Sequence, residues 1–395
     1  MTFRILFLLG ALSAFAPFAI DMYLPAFSSL ARSFDTDVEH VQLSLSAYFI
    51  GLAIGQLFYG PVADRFGRRI PLLVGITLFS LASLGCALAP TLEWLIVARF
   101  VQALGGCAGM VISRAVVRDL CDPIQAAKAF SQIMLVTGVA PILAPIGGGW
   151  LLNAFGWQAI FVSLALFAIA CGFAVFRWLP ESLPVEAPRS PLSGALRQYG
   201  RISADRSFML YALIGGVAMA GMFAYIAGSP FVFIELYGVP AEHFGWVFGS
   251  NAAGFILFSQ INARLLGQHG PAYWVPRATV LYGSATVLLL IVAAFQPATL
   301  GWLLVPLFFS IASLGCLIPN SSACAMTGQG RAAGSASALL GSIQFSIAAL
   351  SSAAVGILHD GTARPMAGIM ACCGIGAMIL AWVGMRGRTA ASDQA

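Results

Sequence analysis

The sequence predicts an all-α membrane protein, twelve transmembrane helices in two six-helix halves, and three observations carry that expectation. Of 395 residues, 59% are hydrophobic and only 9% charged, against roughly 25% charged in a soluble protein. Apolar windows of about 20 residues recur along the chain, the length that crosses a hydrocarbon core. One long polar stretch, "RWLPESLPVEAPRSPLSGALRQYGRISADR" at 177–206, is rich in Pro and Arg and separates six windows from six.

The first window, 5–30, follows Arg4 in the manner of a signal peptide. Its apolar run is long enough to span and more spans follow, so it reads as an uncleaved first helix. The next five fall at 41–62, 70–89, 92–113, 128–151 and 157–178. After the polar stretch come 208–230, 243–263, 274–294, 299–321, 333–356 and 366–385. Gly and Pro within these windows do not argue against helices, because membrane helices tolerate both. The expected organisation is an N-terminal half at 1–180, a cytoplasmic linker at 181–206 and a C-terminal half at 207–395. "YLPAFSSLARSFDTDVEHVQLSLSAYFIGLAIGQL" (23–57) is weakly echoed by "GSPFVFIELYGVPAEHFGWVFGSNAAGFILFSQI" (228–261). Parallel halves of this kind place a substrate site between them near the midplane.

Orientation follows from the arginines. With the N-terminus inside, the cytoplasmic segments hold Arg4, Arg65, Arg68, Arg69, Arg114, Arg118, Lys128, Arg177, Arg189, Arg197, Arg201, Arg206, Arg264, Arg277, Arg331, Arg386 and Arg388, with Arg32 and Arg364 left outside and Arg99 within a span. Both termini are therefore expected in the cytoplasm.

Several functions are excluded by what is missing. The 20 basic residues are scattered singly between apolar runs, which argues against a nucleic-acid partner. The 8 cysteines form no C-x-x-C pair and the 4 histidines no H-E-x-x-H, so no metal is expected. "GQGRAAGSAS" (328–337) lacks the Lys of a phosphate-binding loop. With no acid–base cluster or activated nucleophile, neither an enzyme nor a cofactor is expected.

Four sets of residues remain as candidates. Asp21 is a carboxylate between Pro17 and Pro25 in an otherwise apolar span. It lies nine residues from the span's outer end, about 13 Å at 1.5 Å per residue, and Arg99 lies about 12 Å inside the fourth span. The similar depths suggest a pair, read either as a structural ion pair or as a proton carrier whose water access and Arg99 contact change between states. Gly60, Asp64, Arg65, Gly67, Arg68 and Arg69 form G-x-x-x-D-R-x-G-R-R in a short loop. There Gly60 is expected to allow close helix approach, Gly67 a tight reversal, and Asp64 a local ion pair or the cap of another helix. In the fifth span, Gly138, Pro141, Pro145, Gly147, Gly148 and Gly149 suit a bent, closely packed helix. Tyr23, Tyr48, Gln132, Tyr225, Phe231, Asn251 and Asn320 are the candidate pocket residues, polar or aromatic groups at mid-span.

The gating loop resembles the signature loop of the major facilitator superfamily. "ARFVQALGG" (98–106), with Arg99, Gln102 and Gly105, looks like the fourth-span signature of its proton-driven members. "TGVAPILAPIGGGW" resembles the fifth-span signature of the drug/proton antiporter group, with Ala144 where Gly is usual. "IDMYLP" (20–25), "RWLPESL" (177–183) and "LHDGTARPM" (358–366) look like the Bcr/CflA branch, whose members export bicyclomycin or chloramphenicol-type drugs. The resemblance implies the major facilitator fold, proton-coupled drug export by alternating access, a bacterial cytoplasmic membrane and a monomer. Asp64 and the Arg65–Arg69 cluster are expected to latch the cytoplasmic ends of the halves in the outward-open state. Some relatives carry a second acid two turns earlier in the first span, where this chain has Ser13. The alternatives are transport of an endogenous metabolite on the same scaffold and a non-transporting receptor; the short loops speak against the receptor.

Overall fold

The computed structural model describes residues 2–183 and 192–392. The regular structure in them is helical, and twelve long helices run in the order α1 (Phe3–Ser33), α2 (Val38–Phe66), α3 (Arg69–Ala87), α4 (Leu92–Leu120), α5 (Pro123–Phe155) and α6 (Gln158–Trp178), then α7 (Arg206–Leu236), α8 (Ala241–Leu265), α9 (Pro271–Ala294), α10 (Gly301–Met326), α11 (Ala333–Ile357) and α12 (Arg364–Ser392). A short amphipathic helix, Leu192–Ser203, lies between α6 and α7. Eleven of the twelve are long and apolar enough to cross a membrane. The exception is α8, whose His243, Asn251, Gln260 and Asn262 dilute its hydropathy. Of these, Asn251 and Asn262 are buried and bonded inside the bundle, so lipid does not have to accommodate them. Outward-facing Phe58, Leu81, Leu166, Phe173 and Trp382 give the bundle its apolar exterior.

α2 and α4 overrun the hydrophobic windows of the sequence by several residues, reaching Phe66 and Leu120. Their polar extensions stand at the face of the bundle where the arginines cluster, here called the basic face. Within the first half α4 packs between α2 and α3, and α3 also packs on α6. Within the second, α7 packs on α11 and α12, and α10 on α8 and α9.

The halves meet along two seams, α2 against α11 and α5 against α8. At the face opposite the arginines both seams are tied. Glu39 Oε1 lies 2.7 Å from His359 Nε2, and Asn153 Nδ2 donates to Glu242 Oε2 at 2.8 Å. At mid-height Phe49 of α2 meets Phe223 of α7 edge-on at 4.3 Å between ring centres, and Phe345 of α11 flanks both. At the basic face Arg114 Nη1 still reaches Ser337 Oγ at 3.3 Å. Beside that bond a cavity of about 400 Å³ opens between the halves, lined by Gln56, Asp64, Arg118, Phe130 and Ser335 among others.

The amphipathic helix borders this cavity through Gln198 and Tyr199. Its contact with α2 has a specific cause. Pro61 lies inside α2 and has no N–H, so the carbonyl of Leu57, four residues earlier, lacks its helical donor. The Tyr199 hydroxyl donates to that carbonyl at 2.9 Å.

Candidate functional site

α1 is not one continuous helix. It runs as Phe3–Ser13 and Phe15–Asp21, tightens into a 3-10 turn at Leu24–Ala26, and resumes at Phe27–Ser33. Pro25 occupies the first turn of the 3-10 segment, where its missing N–H is tolerated. Asp21 thus ends a helical segment in mid-bundle. It is 3% exposed. The turn that follows packs against α5, α7 and α8, which places it at the boundary between the halves.

Arg99 is completely buried in α4, and the sequence-based pairing with Asp21 is not what the structure contains. No ion pair joins Asp21 to any basic group among the described residues. The Arg99 guanidinium instead lies between two rings, 4.6 Å from the centre of Tyr23 and 4.2 Å from that of Tyr48. Its Nη1 donates to Gln102 Oε1 at 2.6 Å, and Gln102 Nε2 donates in turn to Ser83 Oγ at 2.7 Å. The reason is rotational. Tyr23 follows Asp21 by two residues, about 200° around a helix. When Tyr23 covers Arg99, Asp21 stands on the other side of α1. Similar depth along two helices does not fix azimuth.

The helices of the second half that meet the turn after Asp21, α7 and α8, carry Tyr225 and Asn251. The Tyr225 hydroxyl accepts from Asn251 Nδ2 of α8 at 3.2 Å, and the Tyr225 ring stacks on Phe248 at 5.1 Å. Asn251 Nδ2 also donates to the Val247 carbonyl at 3.2 Å. Asn251 Oδ1 is buried and has no partner. Of the pocket candidates, therefore, Tyr225 and Asn251 come together, on the helices packed against the turn after Asp21, and the other five do not join them. Tyr23 and Tyr48 clamp Arg99; Gln132 is exposed on α5. Phe231 packs edge-on against His359 at the far face, and Asn320 bonds Asn262 at 2.7 Å between α8 and α10. The single pocket expected of the seven resolves into separate places because equal depth on different helices does not imply a common face. The aromatic cluster of Phe49, Phe223 and Phe345 was missed, since among 29 phenylalanines nothing distinguishes these three.

The loop from α2 to α3 is held by its own half. Gly67 has φ +88°, the left-handed region, and a Cβ there would strike the Glu181 carboxylate. That carboxylate receives the backbone N–H of Arg68 at 2.8 Å and of Arg69 at 3.1 Å. Burial works against the charge of Glu181, but N–H donors from Arg68, Leu183, Arg69 and Ser182 together hold its carboxyl below the usual range. The Arg68 side chain bridges Asp64 at 2.5 Å and Asp119 of α4 at 2.8 Å. Asp119 and Glu181 were not singled out from the sequence; their signal was an acid at the end of each span facing the arginine loop. Gly60 departs from expectation. Nothing lies within 4 Å of where its Cβ would stand, and it lines the cavity instead of a helix contact. Arg65 rests on the Phe66 ring at 5.5 Å.

In α5, Pro141 and Pro145 are internal to the helix. Gly148 is where α5 meets the broken part of α1, because a Cβ there would overlap the Met22 carbonyl oxygen. Gly149 faces the Ala241 carbonyl of α8. Gly147 has open space beside it, and Gly138 meets only Ile256 at 4.0 Å. One glycine of the motif thus sets the height and closeness of α5 against the residue after Asp21.

Comparison with known proteins fits this geometry. The profile described as Major Facilitator Superfamily matches residues 8–353. An uncharacterised MFS-type transporter of Bacillus subtilis, YdgK, is 40% identical over 92% of this chain and 91% of its own. A bicyclomycin resistance protein homolog of Haemophilus influenzae is 32% identical over 94% of each chain. Multidrug resistance protein D of Escherichia coli is 32% identical over 86% of this chain and 85% of its own. Among solved structures, a D-xylose–proton symporter superposes with TM-score 0.74 at 17% identity, over 96% of this chain and 97% of its own. That similarity speaks to the fold alone.

Proposed function

The chain belongs to the major facilitator superfamily, and on that premise we propose that it exports small, largely apolar or weakly polar drugs in exchange for inward-moving protons. The observation that carries the reading is the position of Asp21: a buried carboxylate without an ionic partner among the described residues, at the boundary between the halves. A lone acid at such a boundary can be wetted from one side in one state and from the other side in the next. Proton release and uptake then bias the rocking of the halves. The names of the Haemophilus and Escherichia relatives support drugs as the substrate class.

In this reading the basic face is cytoplasmic, and the state described is closed outside and hollow inside. Substrate enters by the cavity beside Asp64 and Arg118 and passes inward to the Tyr225–Asn251–Phe248 surface. The unpartnered Asn251 Oδ1 suits a substrate carrying a hydroxyl or amide N–H. Asp64, bound to Arg68 here, would turn to the α11 N-terminus when the cavity closes, a favourable place for a carboxylate. The protein acts as a monomer in the bacterial inner membrane.

The test uses inverted vesicles with an acidified interior, carrying wild type or Asp21→Asn, and a dye reporting internal pH. Chloramphenicol- or bicyclomycin-like compounds are expected to trigger proton efflux in the wild type and none in the variant. Equal responses from both would remove Asp21 as the carrier, and silence from the wild type would reject these drugs as substrates.

A further inference from the structure

We infer that the corner of the basic face where α1 and α3 begin and α6 ends is a binding site for an anionic phospholipid. Arg4, Arg69 and Arg177 take its phosphodiester headgroup, and the neighbouring aromatic rings lie along its acyl chains. The site is separate from the path proposed for the drug. Only the choice of leaflet, the cytoplasmic one, rests on the placement of the basic face proposed above.

α1 starts at Phe3 and α3 at Arg69, and α6 finishes at Trp178. Between these three helix ends lies an open groove of about 810 Å³, whose lining includes Phe3, Arg4, Arg69, Arg177 and Trp178 but no carboxylate. Glu181, just beyond the lining, is turned into the loop at Gly67, where backbone N–H groups hold it. None of the three arginines forms an ion pair among the described residues. Arg69 lies over the Phe176 ring at 5.3 Å, and its Nη2 donates to the Phe176 carbonyl in the last turn of α6. Its Nε has no partner. A helix C-terminus favours a cation, which accounts for where Arg69 sits without neutralising it.

Retention of positive charge in the cytoplasm accounts for basic residues on this face. It does not account for three of them, from distant parts of the chain, meeting in one groove free of acids. The neighbouring basic sites are built differently: Arg68 is shared by Asp64 and Asp119, and the cavity between the halves sets Asp64 beside Arg114 and Arg118. The groove therefore offers unspent positive charge, and guanidinium groups match phosphate oxygens in geometry as well as in sign. Its rim favours a lipid over a soluble anion. Phe3 and Phe7 on α1 and Phe173 and Phe176 on α6 are exposed on the outside of the bundle, each pair about one turn apart. The half-exposed Trp178 stands at the end of its span, where an indole suits the level of the headgroups.

In the test, the full chain in detergent micelles is titrated with phosphatidylglycerol, phosphatidylcholine or inorganic phosphate, and bound molecules are counted by native mass spectrometry. One phosphatidylglycerol should be retained in preference to phosphatidylcholine, and inorganic phosphate should not displace it. Arg4 and Arg177 have exposed side chains, so the double variant Arg4→Gln/Arg177→Gln keeps its packing. Its affinity for that lipid should fall about 25-fold, roughly fivefold for each arginine lost. Arg201→Gln, an equally exposed arginine on the amphipathic helix, should leave the affinity unchanged. Equal retention of the two lipids, unchanged affinity in the double variant or an equal loss in Arg201→Gln overturns the inference. Displacement by inorganic phosphate overturns it too, in favour of a soluble-anion site. None of these readouts uses a drug or a proton gradient, so they can fail while the export reading stands, and the reverse.

Discussion

Asp21 and Asp64 are the same side chain in opposite circumstances. Asp21 is 3% exposed and without an ionic partner among the described residues, at a break in α1. The Asp64 side chain is 54% exposed and paired with Arg68, which is itself shared with Asp119. One carboxylate has no counter-ion among the described residues, and the other shares one with a second acid. The comparison teaches that the two regions should fail by different insults: the first by added volume, the second by removed charge.

The largest effect expected is at the first. Gly148→Ala would put a methyl group on the Met22 carbonyl; the Cβ has no rotamer to escape by, and the carbonyl is backbone that cannot swing aside. A destabilisation of about 3 kcal/mol is expected, at the upper end for overpacking, read as lowered thermal stability in detergent together with lost transport. Gly147→Ala, one residue away with open space, should stay within about 0.5 kcal/mol. If both behave alike, the close approach of α5 to α1 is not what supports the Asp21 site.

At the second region Arg68→Ala leaves Asp119 with its main partner gone in a nearly buried position. Removing one member of a buried pair costs about 3 kcal/mol, discounted here to roughly 2 because Asp119 retains some solvent and the Ser182 hydroxyl. Asp64→Asn should cost under about 1 kcal/mol, since that side of the network is exposed. Equal losses in chemical-denaturation midpoints would mean that Asp64, not Asp119, anchors the arginine.

The smallest effect is one of pH. The Glu181 carboxyl is held below the usual range in the folded protein, so its contribution is present above the unfolded value and is lost as pH falls through the folded one. Melting temperature should therefore decline below about pH 4.5 more steeply in wild type than in Glu181→Gln. Parallel curves would dissociate Glu181 from the loop's stability.

How much of this was legible in the sequence varies with the kind of contact. The helices follow from apolar length, and even α8 was placed, although its asparagines and glutamine lower its hydropathy. The tight turn at Gly67 follows from local chemistry. The azimuth of Asp21 does not, because the break at Leu24–Ala26 and the packing of Tyr23 over Arg99 are tertiary facts. Asp119 and Glu181 lie 51 and 113 residues from Arg68, and only the folded bundle brings them to it. Tyr225 and Asn251 were named for their type and depth, but their partnership across α7 and α8 was not written in either helix alone.

The proline in α2 has a mechanical consequence. Leu57 in the first half holds Tyr199, while the same amphipathic helix leads directly into Asp205, which caps α7 and accepts from Gln329 in the second. The connector is thus pinned to both halves by one hydroxyl and one continuous chain. Tyr199→Phe should therefore remove this attachment to α2 and leave the Leu57 carbonyl with neither a helical donor nor the hydroxyl.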